Sequence, residues 1–269
     1  MEKIAFFIGP LPFYWYGLIL SFAILAALLV TVWQARLRRE DVRRVLDLFL
    51  YGIPIGFFFA RLYYVFLNWQ LYVAEPARSL SLASGGFVLD GALASIVVFL
   101  YFYAKRHRLS VGRWLDIAAP GLALGHAIGL WARIMNEEGF GRPTDSPRGF
   151  YIDFAHRPET YQEFDFFEPV CLYSSGWSSL LFLFLLVAVF IQIRTGRLKP
   201  GSIFLLYIVL FSLGRFIFEG LRLDLDYVVG LPVTQIFSGI LGFGALALFL
   251  WLHYQPVFSN ERPQRWSGL

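Results

Sequence analysis

A single cysteine, Cys171, and four histidines stand among 269 residues. One cysteine excludes an intrachain disulfide framework. With His107, His156 and His253 scattered over loops and ends, no metal site is expected. Charge is scarce too: Asp, Glu, Lys and Arg make up 16% of the chain, against about 25% in a soluble domain. There is no GxxxxGK[ST], no HExxH and no paired CxxC, so nucleotide-loop and zinc-protease chemistries have no support and no cofactor is implied. The basic residues fall in short clusters between apolar runs, which gives nucleic-acid binding no support either. Tandem repeats and low-complexity tracts are absent.

What fills the chain is apolar. Hydrophobic residues make up 58% and aromatics 19%, with 29 Phe, 14 Tyr and 8 Trp. That excess does not fit inside a soluble protein, and such chains are not disordered. A helix needs about 20 apolar residues to cross the hydrocarbon. Seven runs qualify: 13–34, 45–67, 86–104, 115–135, 172–193, 201–221 and 231–252. The first has no basic stretch before it and does not read as a cleaved signal peptide. β-Barrel alternation is missing, so the expected fold is an all-α membrane protein with seven transmembrane helices in a single integral-membrane domain, 1–269.

Loop charge sets the expected orientation. Arg36, Arg38, Arg39, Arg43, Arg44, Lys105, Arg106, Arg108, Arg113, Arg194, Arg197, Lys199, Arg262 and Arg265 fall on one side, 14 in all. Lys3, Arg78, Arg142, Arg148, Arg157 and Arg222 fall on the other, six in all. The N-terminus is therefore expected outside and the C-terminus in the cytoplasm. Residues 136–171 form an external insertion between helices 4 and 5, too long for a turn. The segment is acidic and aromatic, and it reads as an ordered cap on the membrane surface. A solvated loop without a role is the alternative.

Ionisable groups inside spans are costly and usually face a polar cavity. Arg61, Asp90, His126, Arg133, Arg215 and Glu219 are such groups. His126, Leu130 and Arg133 follow helical spacing, as do Arg215, Glu219 and Arg222, so each set shares a face. Arg215 and Glu219 can pair one turn apart. Structural explanations exist for each alone: a bridge for Arg215–Glu219, an interhelical hydrogen bond for His126, snorkelling for Arg61. Clustered arginine inside spans points instead to an anionic ligand such as a lipid phosphate, which guanidinium binds bidentately.

The stretches IGPLPFYWYGLIL, FFARLYYVF, LDIAAPGLALG, NEEGFGR and GRFIFEGLR follow one another in an order that resembles the prolipoprotein diacylglyceryl transferase family. The stretch IGPLPFYWYGLIL (8–20) is similar to its N-terminal signature. FFARLYYVF resembles its second span and LDIAAPGLALG its Asp-x-x-Ala-Pro element. NEEGFGR (136–142) resembles the end of its Gly-Arg-x-x-Asn-Phe-x-Asn-x-Glu-x-x-Gly signature, and GRFIFEGLR (214–222) its Arg-x-x-x-Glu-x-x-Arg span. The resemblance runs in order over most of the chain. It implies a multi-pass protein of the bacterial plasma (inner) membrane. The implied activity is transfer of diacylglyceryl from phosphatidylglycerol to the lipobox cysteine thiol of a lipoprotein precursor, with glycerol phosphate leaving. Membrane lipid, phosphatidylglycerol and the precursor are the implied partners.

Carried over position by position, the family pattern meets Tyr16, Arg61, Glu138, Gly141, Arg215, Glu219 and Arg222. It departs where the family has His-Gly-Gly and the chain has Asp90-Gly91-Ala92. Leu130 stands for the signature Arg, Arg133 for its Asn, and Phe211 for a Tyr. The element before the fifth span becomes Glu168-Pro169-Val170-Cys171-Leu172-Tyr173-Ser174, and Cys171 is expected to be structural. The expected catalytic set is Asp90, His126, Glu138 and Tyr16, with Asp90 or His126 as base. The expected phospholipid-binding set is Arg61, Arg133, Gly141, Arg215, Glu219 and Arg222. Asp90 is expected to pair with Arg133. A catalytically impaired paralogue that binds lipid or uses another acceptor is the alternative; a transporter of an amphipathic anion is the third reading.

Overall fold

The computed structural model describes residues 3–73, 76, 79, 86–146, 149–223, 227–228 and 231–254; for Ile8, Leu89, Asp90, 227–228 and 231–233 it describes the backbone alone. Arg78, Arg148, Arg262 and Arg265 lie outside the described residues. A short hairpin, β1 (Ile4–Ile8) and β2 (Leu11–Tyr14), leads into α1 (Trp15–Leu37). Then come α2 (Val42–Leu67), the single turn α3 (Trp69–Tyr72), α4 (Leu89–Arg106) and α5 (Val111–Met135). The chain between α5 and α6 carries the two-residue strands β3 (Phe150–Tyr151) and β4 (Phe166–Phe167). The remaining elements are α6 (Val170–Thr195), α7 (Ser202–Glu219), the strands β5 (Tyr227–Val228) and β6 (Leu231–Pro232), and α8 (Val233–Tyr254).

Among the described residues, six helices are long and apolar enough to cross a membrane: α1, α2, α5, α6, α7 and α8. The chain is a multi-pass membrane protein. The expectation of seven spans adds α4, whose 18 residues include Asp90, Lys105 and Arg106. Phe22, Leu29, Phe66, Leu180 and Phe243 are exposed on the bundle. In water they would be an aggregation-prone surface; against lipid they are an ordinary one.

α1 and α5 pack closely, and α2 and α4 pack closely on each other, but the two pairs share few contacts. The α1–α5 contact depends on small residues. A Cβ at Gly121 would collide with Thr31 Oγ1 and lie 2.7 Å from the Ala27 carbonyl, and one at Gly125 would lie 3.2 Å from Ala27 Cβ. On the other flank α5, α6 and α7 bury Ala119, Ala123, Leu181, Leu185, Ile203 and Tyr207.

The α5–α6 segment is folded, in line with its aromatic content. Phe140, Ile152 and Phe167 form a small core, and β3 pairs antiparallel with β4. Arg157 ties the segment down, donating to the carbonyls of Ile152 and Gln162 and meeting Asp165 at 2.7 Å. The end of the bundle that carries this segment is called the cap end below, and the opposite one the far end.

Candidate active site

A cavity of about 580 Å³ runs between the helices. Its charged lining, with Tyr16 of α1 beside it, is gathered at the cap end and comes from α5, the cap, α7 and the turn after it: Arg133, Glu138, Arg215, Glu219 and Arg222. The rest of its wall is largely apolar.

The focus of the charged end is Glu219. Its Oε1 accepts from Arg215 Nη2 at 3.3 Å and meets Arg222 Nη1 at 3.5 Å. These are the expected one-turn pairings, now with both arginines on one oxygen. Arg133 from α5 lies within electrostatic reach of the same carboxylate. Removing one partner of a buried ion pair leaves an uncompensated charge, so the triad is bound together. Gly214 sits beside Arg215 because a Cβ there would collide with the Trp177 indole, whose Nε1 donates to the Leu210 carbonyl.

The end of α5 places the other charged groups. Its C-terminus closes with two bonds, Glu138 N–H to Arg133 O at 3.0 Å and Glu137 N–H to Ile134 O at 3.1 Å. That is a Schellman closure, which calls for a left-handed residue. Glu137 supplies it with φ +58 although it is not glycine. The turn brings Glu138 back over Arg133, and Tyr16 lies within electrostatic reach of both.

The strained residue is clamped. The Glu137 carboxylate accepts from Asp153 N–H at 3.0 Å and from His156 Nδ1 at 3.1 Å, while His156 Nε2 faces Lys3 Nζ at 3.3 Å. Burial works to raise the Glu137 carboxyl; hydrogen bonding, led by the Asp153 N–H, and nearby positive charge, with His156 the smallest contributor, outweigh it and hold the group below its ordinary value.

His126 lines the cavity at mid-depth, edge-on to Phe211. Its Nδ1 lies 2.9 Å from Ser178 Oγ, and that hydroxyl donates its one proton to the Ser174 carbonyl. With the hydroxyl proton on the Ser174 carbonyl, Nδ1 is the donor and the Nε2 lone pair faces away from Ser178. Leu130 also lines the cavity, so the fourth-span face predicted from spacing is real.

Two expected phospholipid ligands do not line the cavity. Arg61 is buried elsewhere: its guanidinium donates to the carbonyls of Ser79 and Gly86 and lies over Tyr64 and Tyr72. It braces the α2–α4 connection rather than snorkelling. Gly141 is a close-approach position, where a Cβ would lie 2.7 Å from Val170 Cγ2 and 3.0 Å from the Leu221 carbonyl. The Asp90 side chain lies outside the described residues, and with it the expected Asp90–Arg133 pair. Cys171 is buried and its N–H donates to the Gly139 carbonyl, although it also touches the cavity.

Asp116, the acid of the Asp-x-x-Ala-Pro element, was given no role by the sequence. Its carboxylate is fully buried and accepts from Gly201 N–H, Phe204 N–H and Gln192 Nε2, each at 2.9 Å. The signal was present, since Asp116 is an acid inside the 115–135 apolar run.

A family model described as prolipoprotein diacylglyceryl transferase matches residues 3–251. Curated relatives named phosphatidylglycerol–prolipoprotein diacylglyceryl transferase match over most of their length. The protein of Synechococcus elongatus is 37% identical over 91% of this chain and 86% of its own. That of Trichormus variabilis is 36% identical over 93% and 90%. That of Halalkalibacterium halodurans is 32% identical over 97% and 90%.

Proposed function

The chain belongs to the prolipoprotein diacylglyceryl transferase family, and from that membership we propose that it moves diacylglyceryl from phosphatidylglycerol to the cysteine thiol of a lipoprotein precursor. One observation carries the reading: three arginines, Arg133, Arg215 and Arg222, gather at one end of a largely apolar cavity. With Glu138 and Glu219 they leave one net positive charge, which matches the single negative charge of a phosphodiester. The apolar remainder suits fatty chains.

In the reaction the precursor's sulfur attacks the glyceryl CH₂ that carries the phosphate. The C–S bond forms as the C–O bond breaks. The electron pair leaves on the phosphate oxygen, glycerol phosphate departs, and the thiol proton passes to a base. Arg215 and Arg133 hold the phosphate and stabilise charge on the leaving oxygen. Glu219 holds the fork of Arg215 in place and shares the same oxygen with Arg222, and Tyr16 and Glu138 orient the headgroup. His126 is the proposed base: it lines the cavity, its Nδ1 is engaged by Ser178, and its Nε2 lone pair can take the thiol proton as the thiolate forms. Asp90, at the family's His position, is the second candidate base.

The orientation proposed is cap outside and far end in the cytoplasm, in a bacterial inner membrane, with α4 as a seventh span and the whole chain one membrane domain. The Arg-rich turns at 36–44 and 105–113 support it. A reporter after Leu269 should then read as cytoplasmic.

Leu130, Asp90 and Phe211 stand where the family carries Arg, His and Tyr. They favour a second reading, a lipid-binding relative with another acceptor. Purified protein with labelled phosphatidylglycerol and a lipobox peptide separates the two. Labelled peptide supports transfer. Lipid retained without transfer supports the second reading. Neither result with a folded protein refutes both.

A further inference from the structure

The cavity's depth is a feature that phosphate binding does not use. Along α5 its lining runs from Arg133 at the cap end to Trp114 at the far end. At about 1.5 Å per residue this is about 29 Å, close to the ~30 Å thickness of the hydrocarbon. On α1 the lining runs from Tyr16 to Thr31. The opposite wall is α2 and α4, which pack on each other but meet α1 and α5 only sparsely. The lining also takes in α6 and α7, from Arg215 to Phe204; its part between α1/α5 and α2/α4 is a seam between two helix pairs.

The far end is closed. Trp114 is buried there in a cluster with Ala35, Val45, Leu100 and Ile117. One turn above the closure, Gly52 lines the seam. A Cβ there would meet nothing nearer than the Phe99 ring at 3.9 Å. The absent side chain at Gly52 keeps the last part of the seam clear.

We infer that this seam measures acyl-chain length: one fatty chain of the bound phospholipid runs down it from the phosphate end, and Trp114 and Gly52 set how long that chain can be. The inference rests on the reading that the arginine end holds a phospholipid headgroup. The selection is by fit. A bilayer is as apolar as the seam, so burial alone does not favour longer chains. A short chain leaves a void whose lining loses dispersion contacts, and an overlong chain must fold back against Trp114.

Two variants press in opposite directions. Gly52→Leu inserts a branched side chain above the closure. It also improves helix propensity, so the fold should hold. Trp114→Ala removes the closure. Each purified protein is offered an equimolar mixture of dilauroyl, dipalmitoyl and diarachidoyl phosphatidylglycerol, and the retained lipids are weighed by mass spectrometry. Gly52→Leu should shift the retained population toward the dilauroyl lipid by about threefold to tenfold. Trp114→Ala should shift it toward the diarachidoyl lipid. If Trp114→Ala does not fold, Gly52→Leu decides alone. A folded Gly52→Leu protein that keeps the parent's chain profile overturns the length reading and leaves the headgroup reading intact. A parent protein that retains none of the three lipids overturns both.

Discussion

Removing Asp116 should destabilise the bundle at the end opposite the arginines. The residue before α7 is Gly201, which has no side chain to cap the helix and sits at φ +96. Its first turn is capped instead from α5. Asp116 Oδ2 takes the Gly201 N–H and Oδ1 takes the Phe204 N–H. The two helices meet closely here, since a Cβ at Gly112 would lie 2.9 Å from the Pro200 carbonyl carbon. Gln192 donates to the same carboxylate and accepts from Arg38 Nη1 at 2.7 Å.

In Asp116→Ala two backbone N–H groups and one amide lose their acceptor. Each such loss costs about 1–3 kcal/mol when buried, and cap replacements cost about 0.5–2 kcal/mol. Relief from burying a carboxylate offsets part of this, so the net loss should be about 2–4 kcal/mol. Asp116→Asn keeps one acceptor oxygen and should lose about half as much. The measurement is equilibrium unfolding in mixed micelles against a denaturing detergent. An alanine variant within about 0.5 kcal/mol of the parent, or an asparagine variant as weak as alanine, would refute the capping argument.

Glu137 gives a pH prediction. Its carboxyl is held below its ordinary value, so the ionised form stabilises the cap above that value, and the stabilisation is lost as pH falls through the lowered one. Cap protection from protease should therefore hold through the ordinary glutamate range and drop only on acidification below it, and Glu137→Gln should flatten the response; an unchanged profile counts against the clamp. His126→Ala should lower turnover about 10²-fold or more while lipid binding holds. Ser178→Ala should fall between parent and His126→Ala, because the ring loses the acceptor that fixes its tautomer; parent-like rates in both would remove His126 from the chemistry. Gly214→Ala forces a Cβ onto the Trp177 ring and should cost about 1–3 kcal/mol by overpacking, read by the same detergent titration.

Six of the seven expected spans were legible because each is a long apolar run, and the Arg215–Glu219–Arg222 set because one-turn spacing on a helix is a local property. Arg133 and His126 were placed on the right face for the same reason. Arg61 was not legible, since its acceptors are the carbonyls of Ser79 and Gly86, and loop carbonyls leave no mark in composition. The capping role of Asp116 was not legible because its partners lie 76 to 88 positions away. The strands β3 and β4 are two residues each, too short for alternation to show. Gly141 matched the family motif, yet what it satisfies is a tight approach of Val170 and the Leu221 carbonyl, which spacing alone does not reveal.

The central claim, that the arginine end holds the phosphate while diacylglyceryl moves to a thiol, is tested most directly by stoichiometry. Purified protein is incubated with phosphatidylglycerol and a lipobox peptide; released glycerol phosphate and the mass gain of the peptide are followed together. The account predicts one glycerol phosphate per diacylglyceryl-peptide, with both signals lost in Arg215→Ala and partly restored in Arg215→Lys, whose ammonium lacks the bidentate fork. Peptide lipidation undiminished in a folded Arg215→Ala protein, or glycerol phosphate released without lipidated peptide, would contradict it.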